Sequence, residues 1–470
     1  MVGMLAAMPP APSNRPDTDE TPVTSVTPVR DRGDACPGAL RLHSADDGAL
    51  ARVRVPAGVV SAAQAYALAD AAERLGDGAL DITSRGNFQL RGLEPGCGGE
   101  LARLLDAAGL LPAPRHERVR NVVASPLSGL DGQGHLDVQP LVRELDALLC
   151  ASERAPELSG RFLFALDDGR GDMAEFAADV MLLAQPGGAA VRVSVGDAAV
   201  RVRAEDGPRA MLVAAYAFLD AADASATRAW RVRELPAAHA LSARDLTSRA
   251  AEAGLGDVAG AGASAPAAAP TPCDGRAERR PVDVTPTRRP DAVSRDAGVR
   301  PVPGAGPGGL YVVAPLGRLS AVQWRMVAEV AERYGTGEVR VTPWRGVVVP
   351  GAGPGQLAAL DAAGLVTDPA SPWLGVGACT GRPGCAKSLA DVRADATGLL
   401  PAGAGGLPVH WSGCERRCGH PRGAWVDVVA TGDGRYEVSA PGAPPRAVPL
   451  PELAGALAAA RTTTTKTPTK

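Results

Sequence analysis

ADAAERLGDGALDITSRG (Ala69 to Gly86) and AEVAERYGTGEVRVTPWRG (Ala328 to Gly346) read alike: each predicts a helix, a glycine-containing stop, and a β-rich strand ending near Thr and Arg. Ala72-Glu73-Arg74 matches Ala331-Glu332-Arg333, and Thr83 matches Thr342 at the same spacing. Further on, LDAAGLL (Leu105 to Leu111) matches LDAAGLV (Leu360 to Val366) after a short deletion. Order, spacing and element type agree, so the chain is read as a duplication. Each copy is followed by a strand-rich segment with Gly/Asp turn signals, RFLFALDDGRGDM onward in the first and LPVHWSGCERRCGHP onward in the second.

Composition frames that reading. The chain has 470 residues, 45% of them hydrophobic, enough for two to four packed units. Net charge is −3 and the basic residues form no block, which argues against a nucleic-acid surface or a polybasic membrane patch. No apolar run reaches the roughly 18 residues that cross a bilayer, and the opening residues break into prolines without a charged leader, so a cytoplasmic protein with a small-molecule partner is expected. The expected organisation is a disordered tail (1–35), a first half-domain (36–150), a strand-rich α+β domain without cysteine ligands (151–255), an Ala/Pro/Gly/Arg linker (256–306), a second half-domain (307–370), a cysteine-bearing domain (371–460) and a disordered tail (461–470).

Four of the eight cysteines fall in two Gly-rich loops of the second copy, Cys379-x5-Cys385 in ACTGRPGC and Cys414-x3-Cys418 in SGCERRC. Two thiolate pairs on separate loops suit a cuboid [4Fe-4S] cluster, whereas structural zinc usually has C-x2-4-C spacing in both pairs. Buried small hydrophobes are the bland alternative. Cys36, Cys97 and Cys150 lack partners at ligand spacing and read as structural, and Cys273 falls in the linker. In DITSRGNFQLRG, Arg85, Asn87 and Gln89 alternate and would share one strand face. Asp167 and Asp168 in LDDGRGDM fit either acid–base or metal chemistry or a tight Asp-Asp-Gly turn. The six histidines show no two-His-one-carboxylate pattern.

These strings resemble the sulfite and nitrite reductase iron–sulfur superfamily: the Cys-x5-Cys and Cys-x3-Cys loops, Thr-x-Arg-x-x-Phe-Gln in Thr83 to Gln89, and the Arg-Asn-Val loop in VRNVVASP (Val119 to Pro126). The resemblance spans roughly residues 36 to 456 apart from the linker. It implies an α+β fold on a duplicated scaffold, with two ferredoxin-like half-domains, two α+β cluster and cavity domains, and pseudo-twofold symmetry. It also implies that Arg85, Arg120 and Asn121 face a central cavity for a carboxylate-rich tetrapyrrole and an oxyanion. Guanidinium groups suit such ligands because they pair bidentately and keep their charge when buried.

Within the superfamily, two lysines of a Lys-Phe-Lys-like segment serve the anion; here Arg161 and Leu163 stand in their places, and no lysine precedes Lys387. The departures resemble precorrin-3B synthases of aerobic cobalamin biosynthesis, on CPGALRLHSADDGALARVRVPAG (Cys36 to Gly58), GRFLFALDDGRGDM (Gly160 to Met173), RVTPWRGVVVP (Arg340 to Pro350), ACTGRPGC and VHWSGCERRCGHP. That resemblance implies a monooxygenase hydroxylating precorrin-3A at C20 with dioxygen and closing a γ-lactone. The cluster would be fed by an electron-donor system with NADH as ultimate source, and a mononuclear non-haem iron would be a further cofactor. Arg345 would meet a substrate carboxylate, with Trp344 lining the cavity. The alternative is a sulfite or nitrite reductase with sirohaem as cofactor.

Overall fold

In the computed structural model, residues 34, 36–186, 188–193, 198–255, 301–400, 406–421 and 423–462 are described. Most of the expected tails and of the 256–306 linker therefore lies outside the described residues. The last linker residues are an exception, because Gly304–Gly306 pairs antiparallel with Gly309–Val313 as an edge strand.

The duplication is visible element by element. Ser61 and Ser320 each cap a helix, Ala62–Leu75 and Ala321–Tyr334, through a reciprocal capping box with Gln64 and Gln323. Both helices end at a glycine, and the strands Ala79–Ile82 and Glu338–Val341 follow. Alanines Ala65, Ala69, Ala72, Ala328 and Ala331 carry no bulk beyond Cβ, so the two helices pack side by side in one core that also holds Leu68, Phe88, Trp324 and Val347. Phe88 meets Trp324 edge-on at 5.0 Å between ring centres.

Each half-domain sheet borrows a strand from the other copy. Arg318–Ser320 pairs with Ala79–Ile82 in the first sheet, and Val59–Ser61 pairs with Glu338–Val341 in the second. The copies are thus interlocked. This exchange also explains why one hydrophobic core serves both halves.

Two further five-stranded sheets share one pattern. In each, three strands run parallel and two antiparallel strands follow: Val122–Ala124, Phe164–Asp167, Val180–Gln185, Gly188–Val193 and Ala199–Val202 in one, and Val376–Ala378, Val409–Ser412, Val426–Gly432, Arg435–Ser439 and Arg446–Pro449 in the other. The fold is α+β, on a scaffold like that of the sulfite and nitrite reductases. One boundary differs from the sequence reading. Residues 119–149, expected in the first half-domain, pack with 155–255, because Val122, Val142, Leu145 and Leu149 share a core with Phe164, Met211 and Phe218. Their apolar face matches the third sheet, a pairing invisible from local periodicity.

Candidate iron–sulfur site and the arginine-lined junction

Parallel strands deliver their C-terminal loops to the same edge of a sheet, and that is how the four cysteines meet. Cys379 follows Val376–Ala378 directly, and Cys414 follows the neighbouring strand Val409–Ser412 by one residue. All four cysteines line one cleft of about 250 Å³ together with His43, Asp46, Arg91, Lys387 and Arg416. The Gly413 N–H donates to Cys379 Sγ at 3.2 Å. Burial pushes the Cys379 and Cys418 thiols up, and the neighbouring cysteines push the same way.

The donor set fits a cluster better than a single ion. One zinc bound at 2.3 Å would hold its sulfurs about 3.8 Å apart. Among the described residues, the group of three metal-type donor atoms lying within 4.8 Å of one another is Asp167, Asp168 and Asp172, and no cysteine trio does so. Thiolates that each bind a separate iron stand farther apart than the ligands of one zinc.

The first half-domain clamps the cysteine loop. Arg91 pairs bidentately with Asp47 at 2.8 Å and 2.8 Å and donates to the Gly384 carbonyl at 2.7 Å, while Asp46 accepts from the Ala386 amide. Arg393 spans the Cys379 carbonyl at 3.2 Å and Asp81 at 3.0 Å. Sequence reading missed these residues: the Arg91 bond to the Gly384 carbonyl spans 293 positions and the Arg393–Asp81 pair 312.

At the junction of the first half-domain with the 119–255 unit, arginines gather; Arg231 pairs with Asp179 at 2.5 Å, whereas among the described residues Arg52, Arg54, Arg85 and Arg161 form no ion pair with a carboxylate. Arg54 is 3% exposed, its Nη2 lies 3.3 Å from Cys36 Sγ, and its Nε and Nη1 have no hydrogen-bond partner among the described residues. Arg52 donates to Gln89 at 3.1 Å and leaves its Nε unpartnered among the described residues. Arg85 donates to the Arg161 carbonyl at 3.2 Å, and its guanidinium is held down to about 10, first by burial and then by Arg231 and Arg54. Arg161 stacks on Trp230, 4.8 Å from the ring centre. Arg52 and Arg54 were missed in the sequence, although Arg-x-Arg inside the apolar strand segment LARVRV was a signal.

Several expected site residues have other tasks. Arg120 is 5% exposed and its guanidinium is taken by Asp146, with two bonds of 2.7 Å, so it faces a carboxylate of its own chain rather than a cavity. Asn121 and Asn87 are buried and bonded to each other at 3.2 Å; Asn121 also donates to the Phe162 carbonyl, and Asn87 accepts from the Val55 amide. They tie three loops together. The strand starts at Phe88, so Arg85 and Asn87 sit in the turn before it and share no strand face with Gln89. Asp167 accepts from the amides of Gly169, Gly171 and Met173, and Asp168 from Arg170; both are 0% exposed. The turn reading holds, and buried, fully bonded carboxylates are poorly placed for acid–base work. Trp344 donates to Glu175 at 2.7 Å and packs on Phe176. Arg345 extends to the second cysteine loop and donates to the Gly419 carbonyl at 3.3 Å.

Residues 43–108 and 306–364 match the nitrite/sulfite reductase ferredoxin-like half domain. The scaffold is like that of the nitrite and sulfite reductases. A ferredoxin–nitrite reductase of Synechococcus elongatus is 28% identical over 81% of this chain and 76% of its own length. A precorrin-3B synthase of a Sinorhizobium species is 33% identical over 33% of each chain. The structure of the Mycobacterium tuberculosis NirA protein superposes with a TM-score of 0.59, covering 87% of this chain and 79% of that one, at 19% identity. On this reductase-type scaffold the borrowed strands fall inside the matched half-domain regions. Among the described residues no helix is long and apolar enough to cross a membrane.

Proposed function

We propose that the chain is an oxidoreductase that holds a [4Fe-4S] cluster on Cys379, Cys385, Cys414 and Cys418 and acts on a polycarboxylate tetrapyrrole as substrate. The reaction is that of a precorrin-3B synthase, in which precorrin-3A is hydroxylated at C20 with dioxygen and closes a γ-lactone. The observation that carries this reading is Leu163. It stands where the reductases place a lysine, and it is 1% exposed among Val123, Ala165, Met173 and Phe176. A methyl-lined position donates no hydrogen bond to sulfite or nitrite.

Arg52, Arg54, Arg85 and Arg161 suit a ligand with several carboxylates, because among the described residues none of them is ion-paired with an acid, and a guanidinium gains a charge-assisted bond when one arrives. When bound, the cluster supplies one-electron transfer. The chain's own part is to orient the macrocycle by its acid side chains and to keep the cysteine loops clamped by Arg91 and Arg393. A mononuclear iron finds no two-His-one-carboxylate trio among the described residues, since His116 bonds the Ser152 carbonyl and His410 the Cys418 carbonyl. An electron donor, with NADH as ultimate source, meets the cluster on the side of exposed Cys418, Lys387 and Arg416.

The second reading is a sirohaem-dependent nitrite or sulfite reductase, favoured by the longer match to ferredoxin–nitrite reductases. Absorption spectroscopy separates the two. The purified protein is expected to show the cluster's broad absorption without a sirohaem Soret band, and to consume dioxygen only with both precorrin-3A and a reductant. Copurifying sirohaem with anaerobic turnover of sulfite or nitrite overturns the first reading.

A further inference from the structure

Arg345 occupies an unusual place in the duplicated scaffold. By the spacing that matches Thr83 to Thr342, Trp344 corresponds to Arg85 and Arg345 to Gly86. Gly86 has φ +66°, and Arg345 has φ +66° as well. A left-handed backbone suits glycine and disfavours side chains, so an arginine there is held by what its side chain reaches. Both turns keep the bond from this residue's amide to the threonine carbonyl, at 3.0 Å in each copy.

Three glycines clear its path. A Cβ at Gly317 would lie 2.4 Å from Arg345 Cδ, one at Gly377 2.9 Å from Nη1, and one at Gly419 3.2 Å from Nη2. The guanidinium ends beside the second cysteine loop, on the Gly419 carbonyl. It has no ion pair with a carboxylate among the described residues. Next to it, His410 is 1% exposed, bonds the Cys418 carbonyl at 3.1 Å through Nε2, and among the described residues leaves Nδ1 unpartnered. The same Gly377 Cβ would lie 3.2 Å from that Nδ1, so the ring and the guanidinium flank one glycine. Burial and the nearby Arg393 push the Arg345 guanidinium down, while Asp81 and then Cys379 pull it up, so that the thiol as well as the carboxylate lies within electrostatic reach of the cation.

We infer that Arg345 is a redox-tuning cation for the cluster, a positioning residue whose fixed charge stabilises the reduced state, with His410 and the three glycines setting its distance. This rests on the cluster reading above. A cluster on four thiolates is negatively charged and gains one more electron on reduction, so a nearby desolvated cation favours the reduced form. Arginine serves because its charge survives burial. The duplicate copy, which has no cysteines in the matching loops, keeps glycine at this position.

The test is an EPR-monitored redox titration of the full-length, cluster-loaded protein, with iron and sulfide content measured in parallel. Arg345→Gln is expected to make reduction at least tenfold less favourable, a negative shift of about 59 mV or more for one electron. Arg345→Lys should retain most of the wild-type potential. Gly377→Ala, whose added methyl displaces the guanidinium, should shift the potential in the same direction as Arg345→Gln while leaving the charge in the protein. Loaded Arg345→Gln protein at the wild-type potential overturns the inference. If that variant loses its cluster, Gly377→Ala at the wild-type potential overturns it. A wild-type protein that binds no [4Fe-4S] cluster refutes the functional reading itself, whereas unchanged potentials in loaded variants refute only the role of Arg345.

Discussion

Asp172 is the carboxyl whose removal is expected to stabilise the protein at neutral pH. It is 3% exposed and its Oδ1 accepts a 2.6 Å bond from Ser125 Oγ. Burial pushes its pKa from 3.8 to about 7, with repulsion from Asp167 and Asp168 adding to it and the Ser125 bond opposing it. A carboxyl whose folded-state pKa is raised gives stability that is fully present below its unfolded value and is lost as pH rises through the folded value. At 1.36 kcal/mol per pH unit, the span from 3.8 to about 7 corresponds to at most about 4 kcal/mol, and about 2–4 kcal/mol after relaxation around the ion. Asp172→Asn keeps an acceptor for Ser125 and offers an N–H to the neighbouring carboxylates. Denaturant midpoints of wild type and variant, measured between about pH 4.5 and 8, should start close together and separate in the variant's favour up to pH 7, with a constant gap above it. Parallel curves across that range would refute the argument, because they would mean that Asp172 titrates alike in folded and unfolded chains.

Replacing any one of Cys379, Cys385, Cys414 and Cys418 by Ala should abolish the cluster's visible absorption near about 400 nm and lower iron and sulfide content, whereas Cys97→Ala should leave both intact. Asp146→Ala leaves the buried Arg120 without its carboxylate and should cost about 3–5 kcal/mol in a denaturant titration; a loss below about 1 kcal/mol would mean that water reaches Arg120. Arg54→Met should have effects of opposite sign, raising thermal stability by removing a buried cation with two unpartnered nitrogens, and weakening macrocycle binding by about 1.5–3 kcal/mol in a fluorescence titration.

The duplication and the cysteine loops were legible because both leave local signals. A capped helix, a glycine stop and a strand recur at one spacing, and thiols in pairs are too rare to be background in a chain with eight cysteines. The strand exchange was not legible: Val59–Ser61 and Arg318–Ser320 are three residues long, and their partners lie in the other copy. Arginine roles were the hardest to read. Arg120 and Arg54 are equally buried in outline, but Asp146 on a neighbouring helix satisfies the first, and among the described residues no carboxylate bonds the second. In a sequence whose basic residues are nearly all arginine, residue type separates neither case.

The asymmetry of the two copies is best understood at one point of the shared topology. At the C-terminal ends of two adjacent parallel strands, the second copy carries the loops of Cys379 and Cys414, and the first carries Ser125, Asp167, Asp168 and Asp172. In the first copy the ends are closed from within: Ser125 bonds Asp172 and the Asp168 amide, Asp167 folds the following turn onto itself, and Arg170 covers Asp168 and Asp131. In the second, glycines stand where side chains would intrude; a Cβ at Gly413 would lie 1.8 Å from Ser388 Oγ, and the loop is held by arginines from outside its own sheet. One strand order thus supports a self-satisfied acidic turn in one half and an externally clamped thiol set in the other. Converting the first into a cluster site would require more than four cysteines, because the carboxylates there already accept the backbone amides that give the turn its shape.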